Sequence, residues 1–258
     1  SMRYGGAYKS YGPQYVRGIQ EMDGKPADGN MWVTYSMNKE DMWVSRIPVP
    51  VKDKITKDVN DDFSKMPDNQ EMNEWNIYSP LWCKVAMEQY KDQKAITLKD
   101  SDPFDYAKAE RVFPGAKKTE VMFTISAAQT TYGELEIELA DRKGIACLRL
   151  ILDSTGSILT KQGYRNKSLG KYKQGEELTI KIELNTATRF YNVILNGGKP
   201  STNICFQPVA SVERLVFRTG SVRRFPDADT PTDQSYDLPG ADNREKQAKY
   251  LIHSVKTK

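Results

Sequence analysis

With 258 residues, 38% of them hydrophobic and 28% charged, the chain is long enough to bury a core of its own, as one large all-β domain or as a sandwich with a smaller unit. Its 38 Lys and Arg exceed its 34 Asp and Glu by only four, and the basic residues are dispersed, with Arg223-Arg224 the tightest pair in an exposed-looking segment, so the balance argues against a nucleic-acid surface. No apolar run approaches the roughly 18 residues of a membrane helix, so no membrane partner is expected, and any export signal of a parent protein would lie upstream.

The first readable element runs from Asp28 to Pro50. Met31 to Tyr35 and Met42 to Ile47 read as two short apolar strands around a polar turn at Ser36 to Asp41, and Pro48 and Pro50 then withhold ladder donors. An isolated hairpin is marginal in water, so this one needs strands that the following sequence does not offer. Its apolar edge also invites assembly with another chain, which makes a protein-protein interaction module one reading of the whole.

Residues 53–74 are polar and without a sustained period, and they read as a linker between a segment at 1–52 and a domain at 75–258. Strand candidates then follow in quick succession: 75–78, 82–88, 95–99, 110–113, 119–127, 135–140, 145–153, 158–161, 178–185, 190–196 and 212–218. Leu178, Ile180, Ile182 and Leu184 alternate with Thr179, Lys181 and Glu183, the pattern of a half-buried antiparallel strand. Val121, Phe123, Ile125 and Ala127 alternate likewise, and Asp153-Ser-Thr-Gly156 and Asn196-Gly-Gly-Lys199 read as hairpin turns. Nothing long between these runs has helical spacing, so the fold class is all-β, with two packed antiparallel sheets.

A Pro- and Asp-rich stretch from Phe225 to Asn243 precedes a last strand at Tyr250 to Val255, expected to lie beside Trp82 to Glu88. The stretch suits either a stiffened surface crossing or a hard-cation site. No cofactor is expected, with calcium at Asp227, Asp229 and Asp233 as the alternative. Cys83, Cys147 and Cys205 have no metal-ligand spacing and read as buried thiols, with one unassigned disulfide left open. His253, the single histidine, has no nucleophile motif around it and belongs to the closing strand.

The strands and turns from Thr119 to Ile125, Gly133 to Asp141, Leu148 to Gly156, Tyr172 to Ile182 and Phe190 to Gly197 together resemble concanavalin A-like (laminin G-like) jelly-roll domains over roughly residues 75–258. Tyr11 to Ile19, Gly29 to Ser36 and Trp43 to Pro48 resemble the closing blade of sialidase-like, BNR-repeat β-propeller proteins, although the Asp-box is absent. The resemblance implies a concanavalin A-like antiparallel β-sandwich (jelly roll) preceded by the hairpin remnant of a propeller blade. It also implies an upstream propeller as partner and a secreted or periplasmic address, with Arg17 the one candidate remnant of a propeller active site, its other and leading reading being a strand arginine whose stem covers apolar surface.

Two sets of site residues follow. Glu134, Glu136 and Glu138 share one face of a strand and resemble the acidic strand of laminarinase-type glycosidases, with Glu136 standing where that motif has Asp. A retaining glycoside hydrolase using Glu134 and Glu138 is therefore the enzyme reading, although residues four apart on a straight strand are about 13 Å apart and the mechanism needs about 5 Å. The other reading of that face is a polar stripe opposite Leu135, Ile137 and Leu139. For binding, sugars stack C–H faces on aromatic rings while their hydroxyls pair with Arg, Asn and Asp, which selects Tyr132, Tyr164, Arg165, Asn166, Tyr172, Arg189 and Tyr191. The leading expectation is a non-catalytic accessory module of a secreted glycan-active protein, binding carbohydrate or serving structurally.

Overall fold

The computed structural model describes residues 12–19, 28–51, 55–66, 72, 74–220 and 240–258, together with the backbone of two short strands at 4–5 and 236–237. Most of the Asp and Pro stretch, including Asp227, Asp229 and Asp233, lies outside the described residues. The chain divides into two compact units, one of residues 1–54, 102–105 and 222–244, the other of 55–101, 106–221 and 245–258.

In chain order the strands are β1 (Tyr4–Gly5), β2 (Pro13–Ile19), β3 (Asn30–Met37), β4 (Asp41–Pro48), β5 (Asn60–Asp62), β6 (Trp75–Tyr78) and β7 (Val85–Tyr90). There follow β8 (Gln93–Asp100), β9 (Lys108–Ala116), β10 (Lys118–Ala127), β11 (Leu135–Ala140), β12 (Ala146–Leu152), β13 (Ser157–Gln162) and β14 (Arg165–Lys171). The last are β15 (Glu177–Asn185), β16 (Phe190–Leu195), β17 (Ser201–Ile204), β18 (Val212–Thr219), β19 (Tyr236–Asp237) and β20 (Ala248–Thr257).

In the first unit β3 and β4 pair in full register from Asn30↔Pro48 to Met37↔Asp41. Asn38 and Lys39, both at φ 56°, are the central residues of the turn that Glu40 N closes on Met37 O at 3.0 Å, and positive φ at both positions matches the twist of the flanking strands. The hairpin is not alone, as the sequence suggested: β2 pairs with β3 and completes a three-stranded sheet in the order β2-β3-β4. Tyr15, Val16, Met42 and Val44 on its outer strands are nonetheless 71, 60, 74 and 58% exposed, an apolar load unusual for a free surface.

The second unit is a sandwich. One sheet runs β14-β13-β12-β11-β18-β9-β6, and the other runs β17-β16-β15-β10-β20-β8-β7 with β5 added against β20. Period-two alternation places Val121, Phe123 and Ile125 of β10 and Ile180 and Ile182 of β15 between the sheets, opposite Leu135, Ile137 and Leu139 of β11, all fully or almost fully buried. Phe123 and Phe217 meet edge to face at 5.3 Å across this core.

Three expectations are corrected. The stretch expected as a linker contributes to the sandwich: β5 pairs with β20, and Val59 and Phe63 are 2% and 0% exposed. Phe63 packs against Trp75 at 5.8 Å, and Asp61 accepts from Trp75 Nε1 at 3.0 Å and from Arg111 Nε at 2.8 Å, so two apolar anchors among polar residues suffice to dock the segment. The closing strand β20 lies between β10 and β8, not beside the segment at 82–88. The two-residue turn at Lys91-Asp92 folds β7 onto β8, so β8 fills the place beside β20. Residues 165–171 and 201–204, left outside strands by the sequence, form β14 and β17 at adjacent sheet edges, where Lys167 Nζ donates to Asn203 Oδ1 at 3.0 Å.

Candidate functional site

Glu136 and Glu138 point away from Leu135, Ile137 and Leu139, as the alternation requires, and each meets an arginine on a neighbouring strand. Register sets Glu138 opposite Arg149 and Glu136 opposite Arg218. Arg149 donates to Glu138 Oε1 from Nε at 2.7 Å and Nη2 at 2.5 Å and reaches Glu136 Oε2 at 3.5 Å. Arg218 donates to Glu136 and lays its guanidinium over the Tyr106 ring at 5.5 Å. Glu136 is only 3% exposed, so it is no solvent-facing stripe. Glu134 stands just before β11, after Gly133, where φ is +74° and a Cβ would come within 2.5 Å of Ala248. Burial first, and Asp153 second, push the Glu134 carboxyl above its ordinary range, with Arg149 and Arg218 opposing. The geometry is that of a cross-strand ion-pair ladder.

The seven aromatic and polar residues chosen for binding do not converge. Tyr172 and Tyr191 are 7% and 1% exposed, and their hydroxyls bond inward, Tyr172 donating to Asp153 O at 2.7 Å and Tyr191 lying 2.6 Å from Thr160 Oγ1. Tyr132 packs against the core and holds Lys246 Nζ over its ring at 4.0 Å. Tyr164 is fully exposed at the opposite end of β13, with Arg165 and Asn166 on the edge strand β14. Arg189, in the left-handed region at φ 62°, donates to Cys205 O at 3.3 Å. Arg17 is exposed on β2, opposite Thr34.

A different set does converge. On the outer face of the eight-stranded sheet, an open trough of about 510 Å³ is lined by Lys118, Glu120, Glu183, Asn185, Phe190 and Asn192, among others, and Tyr191, alone of the seven, also borders it although its hydroxyl turns inward. Phe190 is 48% exposed, directly opposite Asn185 on β15 and Ile204 on β17. Lys181 pairs with both Glu120 and Glu183 at 2.9 Å, Asn192 donates to Glu183 Oε2 at 3.3 Å, and Thr202 donates to Asn192 Oδ1 at 2.8 Å. The Lys181 and Asn192 hydrogen bonds hold the Glu183 carboxyl below its ordinary range, so it stays an acceptor. An apolar ring beside fixed donors and acceptors is the chemistry that suits a sugar ring and its hydroxyls. Phase reveals the set in the sequence: with Val193 and Tyr191 inward, Phe190 and Asn192 must face out.

A second pocket, of about 120 Å³, is lined by Tyr90, Gln93, Ser126, Glu177 and His253, among others. Ser126 Oγ and His253 Nε2 lie 2.8 Å apart, while Nδ1 has no hydrogen-bond partner among the described residues, so the pair lacks the third group of a Ser-His-acid relay. Among the described residues no group of three or more His, Cys, Asp and Glu is disposed to hold a metal ion, and no helix is long and apolar enough to cross a membrane.

The family model of sialidase-like CBM (carbohydrate-binding module) domains matches residues 75–234. Among solved structures, a sialidase is 49% identical over all of this chain, with a TM-score of 0.89, and this chain spans 23% of the length of that one. A Crh5 transglycosylase, 13% identical over 80% of this chain and 86% of its own, superposes with a TM-score of 0.55 and shares the fold. No curated protein matches the sequence.

Proposed function

The chain belongs to the family of sialidase-like CBM domains, and from that membership we propose that it is the carbohydrate-binding accessory part of a larger, exported glycan-active protein, taking its sugar in the Phe190 trough. The family match over residues 75–234 carries the reading. The trough supports the choice of face, because its ring and hydrogen-bonding side chains are already held by cross-strand bonds and need little ordering to receive a ligand.

Proportion supports a propeller as the rest of the parent. Since this chain spans 23% of the similar sialidase, the parent has room for a propeller, and the exposed Tyr15, Val16, Met42 and Val44 fit a sheet that completes its packing against another blade. Titration of the 258-residue chain against a panel of sialylated, plant and algal glycans tests the reading. Saturable binding to at least one glycan is expected, and uniform absence of binding would reduce the chain to a structural role.

A further inference from the structure

Cys147 and Cys205 are far apart in the chain and on different sheets, Cys147 in β12 and Cys205 just past β17. The sandwich brings them together. Phe206 N donates to Cys147 O at 3.0 Å, Cys205 N donates to Arg189 O at 2.8 Å, and the two cysteines, 0% and 3% exposed, belong to one continuous apolar core. The first of these bonds sets Phe206, the neighbour of Cys205, against Cys147, so the two cysteines lie one residue out of direct register, and each thiol acts on the other; a disulfide spans Cα atoms roughly 4.4–6.8 Å apart. All three cysteines are reduced in this structure, and Cys83 is engaged elsewhere, its thiol donating to Asp100 Oδ1 at 3.3 Å.

We propose that Cys147 and Cys205 form a disulfide in an oxidising compartment, fastening the edge strand β17 of one sheet to β12 of the other. β17 has four residues and only one strand neighbour, so it is an element that a covalent tie would help.

The two thiols are unequal in a way that suits the reaction. Each acts on the other with opposite sign: Cys147 is held protonated by Cys205 first and by burial second, whereas Cys205 is drawn below its ordinary value by Cys147 first, with Arg189 adding. The Cys205 thiolate attacks a sulfur of a small-molecule disulfide such as oxidised glutathione, forming a mixed disulfide and releasing one glutathione thiolate. Cys147 then loses its proton, attacks the Cys205 sulfur and expels the second glutathione as thiol. One protein S–S bond forms, one glutathione S–S bond is broken, and the two electrons pass to glutathione.

The test is to reduce and unfold the full chain, refold it in a glutathione redox buffer, alkylate free thiols, digest with trypsin and map the peptides. Peptide 144–149 joined to peptide 190–214, with Cys83 alkylated, is the expected result. Closing a loop of about 60 residues should raise the melting temperature by about 5–15 °C over the reduced chain. In Cys205→Ser the joined peptide should vanish and Cys147 should be alkylated. Three alkylated thiols in refolded wild type, or a bond to Cys83, would overturn the assignment.

Discussion

The Tyr191 hydroxyl and Thr160 Oγ1 lie 2.6 Å apart in the middle of the sandwich, a hydrogen bond from β16 of one sheet to β13 of the other. Both residues are at most 1% exposed, and burial pushes the phenol up to about 12, so it is neutral throughout the physiological range. A buried hydrogen bond contributes about 0.5–1.5 kcal/mol net, and a lost partner costs most when the other stays unsatisfied. Thr160 also reaches Arg149 O at 3.3 Å, which softens the loss. Tyr191→Phe should therefore lower stability to urea by about 1 kcal/mol and leave glycan binding intact. Unchanged stability with lost binding would place Tyr191 in the site after all.

That pair also explains what the sequence discloses and what it withholds. Strand identity and phase follow from alternation, which is why β6, β11, β15 and β18 are found almost to the residue. Choosing Tyr191 over Phe190 follows the polar tip of a tyrosine and ignores phase, although Leu184 opposite Tyr191 and the inward Val193 fix the direction. β14 is invisible for another reason: as an edge strand with mostly exposed residues it has no apolar stripe to announce it. The burial of Glu136 is set by Arg218, 82 positions away, and no local pattern carries that information.

The ion-pair ladder yields a stability prediction. Glu136 is 3% exposed, so removing its charge takes from the poorly solvated Arg218 guanidinium its carboxylate partner on β11. Breaking one partner of a buried pair costs about 3–5 kcal/mol, whereas replacing both by apolar residues is often neutral or better. Glu136→Gln should lose stability on that scale, and Glu136→Met combined with Arg218→Met should recover most of it. Urea midpoints of the three proteins decide; a loss under about 1 kcal/mol for Glu136→Gln would show that the ladder is not holding the sheet.

His253 predicts a pH dependence. It is 6% exposed, close to Ser126, Tyr90, Lys91 and Glu177, and burial first holds its basicity below the ordinary 6.5, with Lys91 in the same direction and Glu177 opposing. The folded imidazole is thus neutral where the unfolded one already binds a proton. Stability is fully present above the unfolded value and declines as pH falls below about 6.5 toward the folded value. As the single histidine, it gives one ring signal whose NMR titration midpoint should lie below 6.5. In His253→Asn the loss of stability between pH 7 and 5 should shrink. A midpoint at or above 6.5 would contradict the burial argument.

Phe190 carries the functional prediction, since it combines 48% exposure with a place in the trough and no role in the core. Truncating an exposed side chain usually changes stability by less than about 0.5 kcal/mol, so Phe190→Ala isolates binding from folding. Losing the ring should weaken affinity for any glycan the chain binds by at least about tenfold, equivalent to about 1.4 kcal/mol. Asn192→Ala should weaken it less, because its Oδ1 and Nδ2 are already engaged by Thr202 and Glu183. Tyr164→Ala, at the fully exposed turn between β13 and β14, serves as the control and should bind like wild type. If wild type binds and Phe190→Ala binds equally well, the carbohydrate reading stands and the face is wrong. A loss in Tyr164→Ala would move the site to the β13–β14 turn, where Arg165 and Asn166 supply the polar partners that Phe190 finds in Glu183 and Asn192.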